Sequence, residues 1–225
     1  MGEFSNLFKT KKKSFTDVAY EKIKELILNE DIGPGEIVSE NQLAEYMNMS
    51  RTPVREAIRR LEAEGILVSR QGIGTIVKML TLKDIEDIFE VRGAMELIAS
   101  ETAIKNITEQ EIKEVRENFK NLLDRYHSGE KIEKKEFTSI DGQIHDLIVR
   151  KSDNEYVKML MERIYFNVDR YRIMSYKVSL DLEESTNQHL DLLQYMEKRD
   201  VETFKEHLKR HIRWSLDIIR KHVRF

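Results

Sequence analysis

The residues that interrupt helices are unevenly distributed along this chain of 225 residues, and their distribution is the strongest constraint on its fold. Both prolines, Pro34 and Pro53, lie in the first quarter of the sequence. Beyond residue 78 there is no proline and very little glycine. Because both residues disfavour helix interiors, this long segment is predicted to be helical. The sequence therefore predicts a mainly α protein in which a short, punctuated part precedes a long helical part.

Cysteine is absent, and this excludes several kinds of chemistry. Disulfide frameworks, thiolate nucleophiles and cysteine-ligated zinc are excluded, so a metal would have to be held by histidine and carboxylate. The balance of 35% charged and 40% hydrophobic residues is typical of a folded soluble protein. We find no run of 18 apolar residues and no secretory signal, which predicts a cytoplasmic protein without a membrane helix.

The predicted organisation has three parts. Residues 1–14 are predicted to be a flexible arm, although their lysines leave a basic DNA-binding arm as an alternative. Residues 15–78 form a small domain, and residues 79–225 form a bundle of about six helices. Thr81 and Thr108 each precede an acidic residue by three positions, which is typical of a helix N-terminus.

Two helices with a tight turn between them are predicted in the small domain. The first begins with a capping box over residues 39–42, and the second spans residues 50–64. The second helix has an apolar face formed by Val54, Ile58 and Leu61. Its other side carries Arg51, Thr52, Arg55 and Arg59. This pattern predicts a helix-turn-helix motif whose second helix reaches the DNA major groove, where arginine can pair bidentately with guanine.

A hairpin, or wing, is predicted directly after these helices. Residues 66–77 contain two β-prone runs around a turn with Gly72.

The charge of this domain is unevenly distributed. Residues 1–77 contain 11 basic and 12 acidic residues, so the domain is not basic as a whole. Between positions 51 and 74, however, five arginines and three acidic residues predict a local positive face. Because this face offers few phosphate contacts, we predict a homodimer on a pseudo-palindromic operator.

The histidines of the helical part can be sorted by position. His127 and His222 lie at helix ends, where a positive charge favours the helix dipole. Asp141 and His145 are four residues apart and share a helix face.

His189 and His211 adjoin the apolar stripes of two further helices. A shared divalent cation would explain the burial of these two histidines together with Asp141 and His145. Two alternatives stay open: each histidine is an ordinary core residue with its own hydrogen bonds, or His207 faces inward in place of His211.

Specific residues then indicate a family. The segments are Gly33–Gly35, Leu43–Ala44, Ser50–Ala57, Leu61, Glu64–Gly65, Gly72 and Gly74. Together they resemble the winged helix-turn-helix domain of the GntR family of bacterial transcription regulators. The resemblance implies DNA contacts by Ser50, Arg51, Thr52 and Arg55 on the recognition helix and by Gly72 at the wing tip. The chain departs from its relatives at Asn41, where they often have an arginine.

A second set of residues resembles the FCD effector-binding domain of FadR-type members of that family. These are Phe89–Arg92, Glu96, Asp141, His145, Gln188–His189, Leu192–Leu193 and His211. The resemblance implies a divalent metal held by Asp141, His145, His189 and His211. Ile144 replaces the usual aromatic residue, and Gln188 replaces the usual glutamate.

These observations predict a one-component regulator, a repressor, and not an enzyme. The helical domain is expected to bind a divalent metal, with zinc or nickel favoured over manganese or iron, and a small organic acid effector. Arg92 is the predicted anchor for the acid, and the alternative is a surface ion pair with Glu96. Residues 80–83 are the predicted hinge. The alternative functions are a metal-dependent enzyme acting on a small carboxylic acid and a regulator whose metal is purely structural.

Overall fold

The computed structural model describes residues 13–178 and 182–222. Over these residues the chain forms nine α-helices and one two-stranded sheet, which confirms the mainly α prediction. It divides into two compact units, Met1–Leu80 and Thr81–Phe225. The arm predicted for residues 1–14 lies outside the described residues except for its last two positions. None of the described helices is long and apolar enough to cross a lipid bilayer.

The first unit contains three helices and the hairpin. They are α1 (Phe15–Leu28), α2 (Glu40–Tyr46), α3 (Arg51–Ala63), β1 (Leu67–Arg70) and β2 (Gly74–Val77). Ser14 caps α1 through a reciprocal pair of hydrogen bonds with Asp17, which explains why the helix begins there. α3 packs against both α1 and α2 and buries the apolar face predicted from its sequence.

The N-terminus of α2 differs from the prediction in one detail. The hydroxyl of Ser39 accepts a hydrogen bond from the backbone N–H of Gln42 at 3.4 Å, but the return bond of the predicted capping box is not formed. Asn48 then adopts a left-handed conformation with φ of 51°, which turns the chain into α3. Ser50 occupies the N-cap position of α3 without a side-chain capping bond.

The predicted wing is present as an antiparallel hairpin. β1 pairs with β2 from Leu67 opposite Val77 to Arg70 opposite Gly74. Gly72 lies in the connecting turn with φ of 77°, a conformation that glycine adopts without strain. Ile37 forms an additional bridge to Ile76 and ties the loop before α2 to the hairpin.

The second unit contains the six predicted helices. They are α4 (Leu82–Asn106), α5 (Glu109–His127), α6 (Lys134–Lys151), α7 (Glu155–Val178), α8 (Leu182–Glu197) and α9 (Val201–His222). Complete capping boxes at Thr81 and Thr108 open α4 and α5, as their sequences predict. α4 packs against α6, α7 and α9, while α5 packs against α8. This arrangement brings α6, α8 and α9 together around the interior of the bundle.

Candidate functional site

The recognition helix α3 exposes the residues predicted to contact DNA. Ser50, Arg51, Thr52 and Arg55 are all exposed, and Gly72 is exposed at the tip of the wing. Since the hydroxyl of Ser50 makes no capping bond, it remains available as a hydrogen-bond donor or acceptor. The first unit therefore presents a helix face and a glycine turn of the kind that a winged helix-turn-helix uses at DNA.

The positive face of this unit is smaller than the sequence predicts. Three of the five arginines make ion pairs within the unit: Arg55 with Glu40, Arg59 with Glu56, and Arg60 with Glu64. The other two, Arg51 and Arg70, have no carboxylate partner among the described residues. The prediction counted charges along the chain, and it missed the pair between Arg55 and Glu40 because those two residues lie on different helices.

In the second unit, three histidines converge in the interior. His145 on α6, His189 on α8 and His211 on α9 are buried, and one ring nitrogen from each lies within 4.8 Å of the others. The Nε2 atoms of His145 and His189 are 3.3 Å apart. The ring centres of His189 and His211 are separated by 4.3 Å. Three helices that are distant in sequence thus supply one cluster of imidazoles.

Each of the three imidazoles is oriented by an oxygen atom on its Nδ1 side. Nδ1 of His145 lies 2.7 Å from Glu96 Oε2, and Nδ1 of His189 lies 2.8 Å from the carbonyl oxygen of Ser185. Nδ1 of His211 lies 2.9 Å from Gln188 Oε1. Because these oxygens are acceptors, each Nδ1 carries the proton and each Nε2 keeps its lone pair.

Burial holds the three imidazoles in their neutral form. It lowers the pKa of His145 to about 4, against the opposing effect of the Glu96 carboxylate. Burial also lowers the pKa of His189 and lowers that of His211 well below its usual value. Neutral imidazoles with their Nε2 lone pairs directed at one another have no proton to share, whereas a divalent cation would satisfy all three.

Arg92 forms an ion pair with Glu96. This pair was predicted as an alternative role of Arg92, but at the surface, whereas in the structure it is buried. Arg92 Nε lies 2.7 Å from Glu96 Oε1, and the two side chains are 5% and 0% exposed. Although burial favours the neutral acid, Arg92 and His145 hold the pKa of Glu96 well below its usual range. Glu96 therefore connects Arg92 to the histidine cluster, because α4 packs closely against α6.

Asp141 lies beside the cluster but is engaged by another residue. Its Oδ1 accepts a hydrogen bond from the Ser185 hydroxyl at 2.9 Å and lies 3.8 Å from Nδ1 of His189. Burial opposes the ionisation of Asp141, but the nearby His189 and Arg172 lower its pKa below the usual value. The structure thus brings three of the four predicted ligands together and places the fourth next to them.

The other three histidines lie outside the cluster. The Nε2 atom of His207 is 3.0 Å from the Tyr195 hydroxyl, and its Nδ1 contacts the carbonyl of Thr203. In this structure His211, and not His207, faces the bundle interior. His127 and His222 are exposed at the ends of α5 and α9, as predicted.

A cavity of about 40 Å³ adjoins the cluster. Its lining includes Arg92, Asp141, Arg172, Ser185, His211 and Trp214. This volume holds a few water molecules, so an organic ligand would have to be small or would have to displace side chains.

Arg172 is a further residue of this site, and no sequence motif pointed to it. Its side chain is 6% exposed, and its Nη1 contacts Asp169 at 2.8 Å. Its Nε and Nη2 make no hydrogen bond but lie 3.8 Å from Asp141 Oδ2 and 3.9 Å from Asp146 Oδ1. The guanidinium lies against Gly142, where an added Cβ would be 2.9 Å from Nη1. One signal was present in the sequence: a glycine inside a predicted helix, next to Asp141.

The fold and the exposed recognition helix define a winged helix-turn-helix DNA-binding protein with a second, helical domain. Residues 15–77 match the family described as bacterial regulatory proteins, gntR family, and residues 87–213 match the FCD domain. The chain therefore belongs to the GntR family of bacterial transcriptional regulators and carries an FCD domain. This confirms that the chain is a regulator and not an enzyme.

Named relatives agree with this assignment. An uncharacterized HTH-type transcriptional regulator of Bacillus subtilis, YdhC, is 29% identical over 204 residues, which cover 91% of this chain and 90% of that protein. The gluconate operon transcriptional repressor of B. subtilis is 31% identical over 164 residues, covering 72% and 65%. The solved structure of E. coli McbR/YncC has a similar fold, with a TM-score of 0.79, 21% identity and coverage of 93% and 99%.

Proposed function

We propose that this regulator is a repressor that binds operator DNA as a homodimer and responds to a metal and a small organic acid in its helical domain. The DNA contacts are made by Ser50, Arg51, Thr52 and Arg55 on α3 and by Gly72 on the wing. The exposure of these side chains and the fold around them support the assignment. Two copies are needed because one recognition helix offers few contacts to bases and phosphates.

The metal is held by His145, His189 and His211, with Asp141 as the fourth ligand. The observation that carries this proposal is that one ring nitrogen from each of the three buried histidines lies within 4.8 Å of the others, with the Nε2 atoms of His145 and His189 3.3 Å apart. A set of nitrogen and oxygen ligands suits zinc or nickel, and also manganese or iron. The bound cation would supply a positive centre beside the cavity that Asp141 and His211 line.

The effector is a small acid whose carboxylate pairs with Arg172. Nε and Nη2 of Arg172 make no hydrogen bond and lie 3.8 Å from Asp141 Oδ2 and 3.9 Å from Asp146 Oδ1. These two donors form one edge of the guanidinium, and such an edge can hold a carboxylate bidentately. Arg92, the anchor predicted from the sequence, already gives its Nε to Glu96 and also lines the same cavity. The name of the gluconate operon repressor makes sugar acids the first compounds to test.

The metal assignment is tested by measuring bound zinc and nickel in variants of the full chain. His145→Ala, His189→Ala and His211→Ala are each expected to reduce the metal content toward zero. His207→Ala is the matched control, since His207 lies one turn before His211 but outside the cluster, and it is expected to keep the metal. Equal metal content in all four variants would refute the ligand set.

The effector assignment is tested by thermal melting with gluconate and other sugar acids, with and without a chelator. A bound acid is expected to raise the melting temperature of the zinc-loaded protein, and Arg172→Ala is expected to abolish that rise. If no acid shifts the melting temperature beyond the shift caused by zinc alone, the metal is structural, which is the alternative function.

The DNA assignment is tested with duplexes that the protein selects from a random pool. Arg51→Ala is expected to weaken binding to the selected operator, whereas Arg213→Ala, an exposed arginine of the helical domain, is the control. Sedimentation is expected to show a dimer, both free and on the operator. A monomer on a single half-site would refute the dimeric arrangement.

A further inference from the structure

Glu40 and Arg55 connect the two helices of the DNA-binding motif. Glu40 is the first residue of α2, and Arg55 lies in the second turn of α3. Arg55 Nε donates to Glu40 Oε2 at 3.0 Å and to Oε1 at 3.2 Å. Glu40 is 35% exposed and Arg55 is 49% exposed, so this contact lies at the surface and adds little to stability.

The contact with Glu40 uses Nε of the Arg55 guanidinium and leaves the end that carries the two Nη groups free. In the described part of the chain, only Nε of Arg55 has a partner, while its two Nη groups have none. Those two groups are the donors that can pair end-on with O6 and N7 of guanine. A long arginine side chain otherwise samples many rotamers, and ordering it on binding reduces affinity.

We propose that Glu40 is a positioning residue for sequence recognition: it holds Arg55 through Nε so that the two Nη groups are presented to a base edge. The proposal rests on the proposed function, because it requires Arg55 to contact DNA. Glu40 itself touches no base in this mechanism. Its effect is therefore limited to the base pair that Arg55 reads.

Two simpler roles of Glu40 predict different results. Its charge near the N-terminus of α2 favours the helix dipole, and the same charge repels DNA phosphates. Either role would alter stability, or binding to every DNA sequence equally. Arg59 and Glu56 provide an internal comparison, since their side chains form a 3.0 Å ion pair with each other within α3 and not with the Arg55 side chain.

The experiment compares four single variants and one double variant, Arg55→Ala with Glu40→Gln, with the wild-type protein. Glu40→Gln removes the charge, and Glu40→Asp keeps the charge at the N-terminus of α2 but shortens the side chain by one methylene. Arg55→Ala identifies the base pair that depends on Arg55, and Glu56→Gln is the charge control. Each variant selects duplexes from the same random pool, and its affinities for the wild-type operator and for a scrambled duplex are measured at one salt concentration.

Both Glu40 variants are expected to lose preference at the base pair that Arg55→Ala also affects, with the ratio of operator to scrambled affinity reduced about tenfold. In an Arg55→Ala background, Glu40→Gln should have no further effect on that ratio. Glu56→Gln should tighten binding to both duplexes equally.

Three outcomes would overturn the inference. If Glu40→Gln behaves like Glu56→Gln, Glu40 acts only through its charge. If Glu40→Asp retains the full preference of the wild type, the reach of the carboxylate to Arg55 is irrelevant. If Arg55→Ala leaves the preference unchanged at every base pair, the DNA contact of Arg55 itself fails, and the role of Glu40 fails with it.

Discussion

Nδ1 of His145 lies 2.7 Å from Oε2 of Glu96, and both side chains are completely buried. The other oxygen of Glu96 accepts a hydrogen bond from Arg92, so one carboxylate links a permanent cation to a neutral imidazole. Because His145 donates through Nδ1, only its Nε2 faces His189 and His211. Glu96 therefore determines which nitrogen of His145 is available to a metal.

Replacing Glu96 with glutamine is expected to weaken metal binding without abolishing it. The amide oxygen can still accept from His145, but the neutral group no longer raises the basicity of the imidazole. We expect the affinity for zinc to fall by about 10-fold to 100-fold. Competition with a chromophoric chelator measures the change, and Glu101→Gln, an exposed position on the same helix, is the control. Equal affinities of the two variants would argue against this role.

Replacing Gln188 with glutamate is expected to strengthen zinc binding. Nε2 of Gln188 donates to Glu184, which places Oε1 toward Nδ1 of His211. In Gln188→Glu a carboxylate replaces the amide, so the basicity of His211 and the affinity for zinc should rise by about tenfold. Repulsion from Glu184 would lower stability slightly in both metal states. Gln194→Glu, exposed on the same helix, should leave the affinity unchanged.

Replacing Gly142 with alanine is expected to stabilise the protein less than the same substitution at another glycine inside a helix. Gly93→Ala inside α4 would place a Cβ in ordinary contact with Ile212 and should stabilise the protein by about 0.5–1 kcal/mol. Gly142→Ala must displace the guanidinium of Arg172, so its gain should be smaller or negative. Chemical denaturation measures both variants.

If contact with the Arg172 guanidinium limits the gain, the effects of Gly142→Ala and Arg172→Ala on stability should not be additive. In an Arg172→Ala background the added methyl group meets no guanidinium, and Gly142→Ala should then stabilise as Gly93→Ala does. If Gly142→Ala has the same effect with and without Arg172, contact between the two residues is not what limits it.

The metal-free protein is expected to lose stability as the pH falls from about 6.5 to about 4. The pKa of His145 is lowered to about 4 in the folded state, whereas an unfolded histidine titrates near its usual value of about 6.5. Between these values the unfolded chain binds more protons, so the free energy of unfolding decreases as pH decreases.

Denaturant titrations in the presence of a chelator measure this dependence. His145→Asn should reduce the slope between pH 4 and 6.5, since it removes one of the buried imidazoles. Gln194→Asn, at an exposed position, removes no titratable group and is the control, so it should leave the slope unchanged. Identical slopes in all three proteins would show that the buried histidine does not govern acid stability.

The elements of this fold were predictable because their signals are local. The caps at Thr81 and Thr108, the apolar spacing along α3 and the glycine turn of the wing each involve residues within one or two helical turns or one hairpin. The interactions that were missed are non-local. Arg55 and Glu40 were both visible in the sequence, but the spacing of fifteen residues between them carries no periodic signal.

The pair between Arg92 and Glu96 shows the same limit in another form. A separation of four residues predicts contact between them on any helix, and that contact is present. Whether it lies on the surface or in the core depends on the helices that cover α4, and the sequence of α4 alone does not specify them. The buried pair consequently orients His145, a role that a surface pair could not have.

The sequence by itself determined the winged helix-turn-helix, the six-helix domain and the identity of the histidines near the apolar stripes, because helix periodicity and capping depend on neighbouring residues. Only the tertiary structure decided that His145, His189 and His211 meet, that Asp141 lies beside them bound to Ser185, and that Arg172 enters the same cavity over Gly142. The physical reason is that these positions depend on how α6, α7, α8 and α9 pack, and packing joins residues that are far apart in the chain.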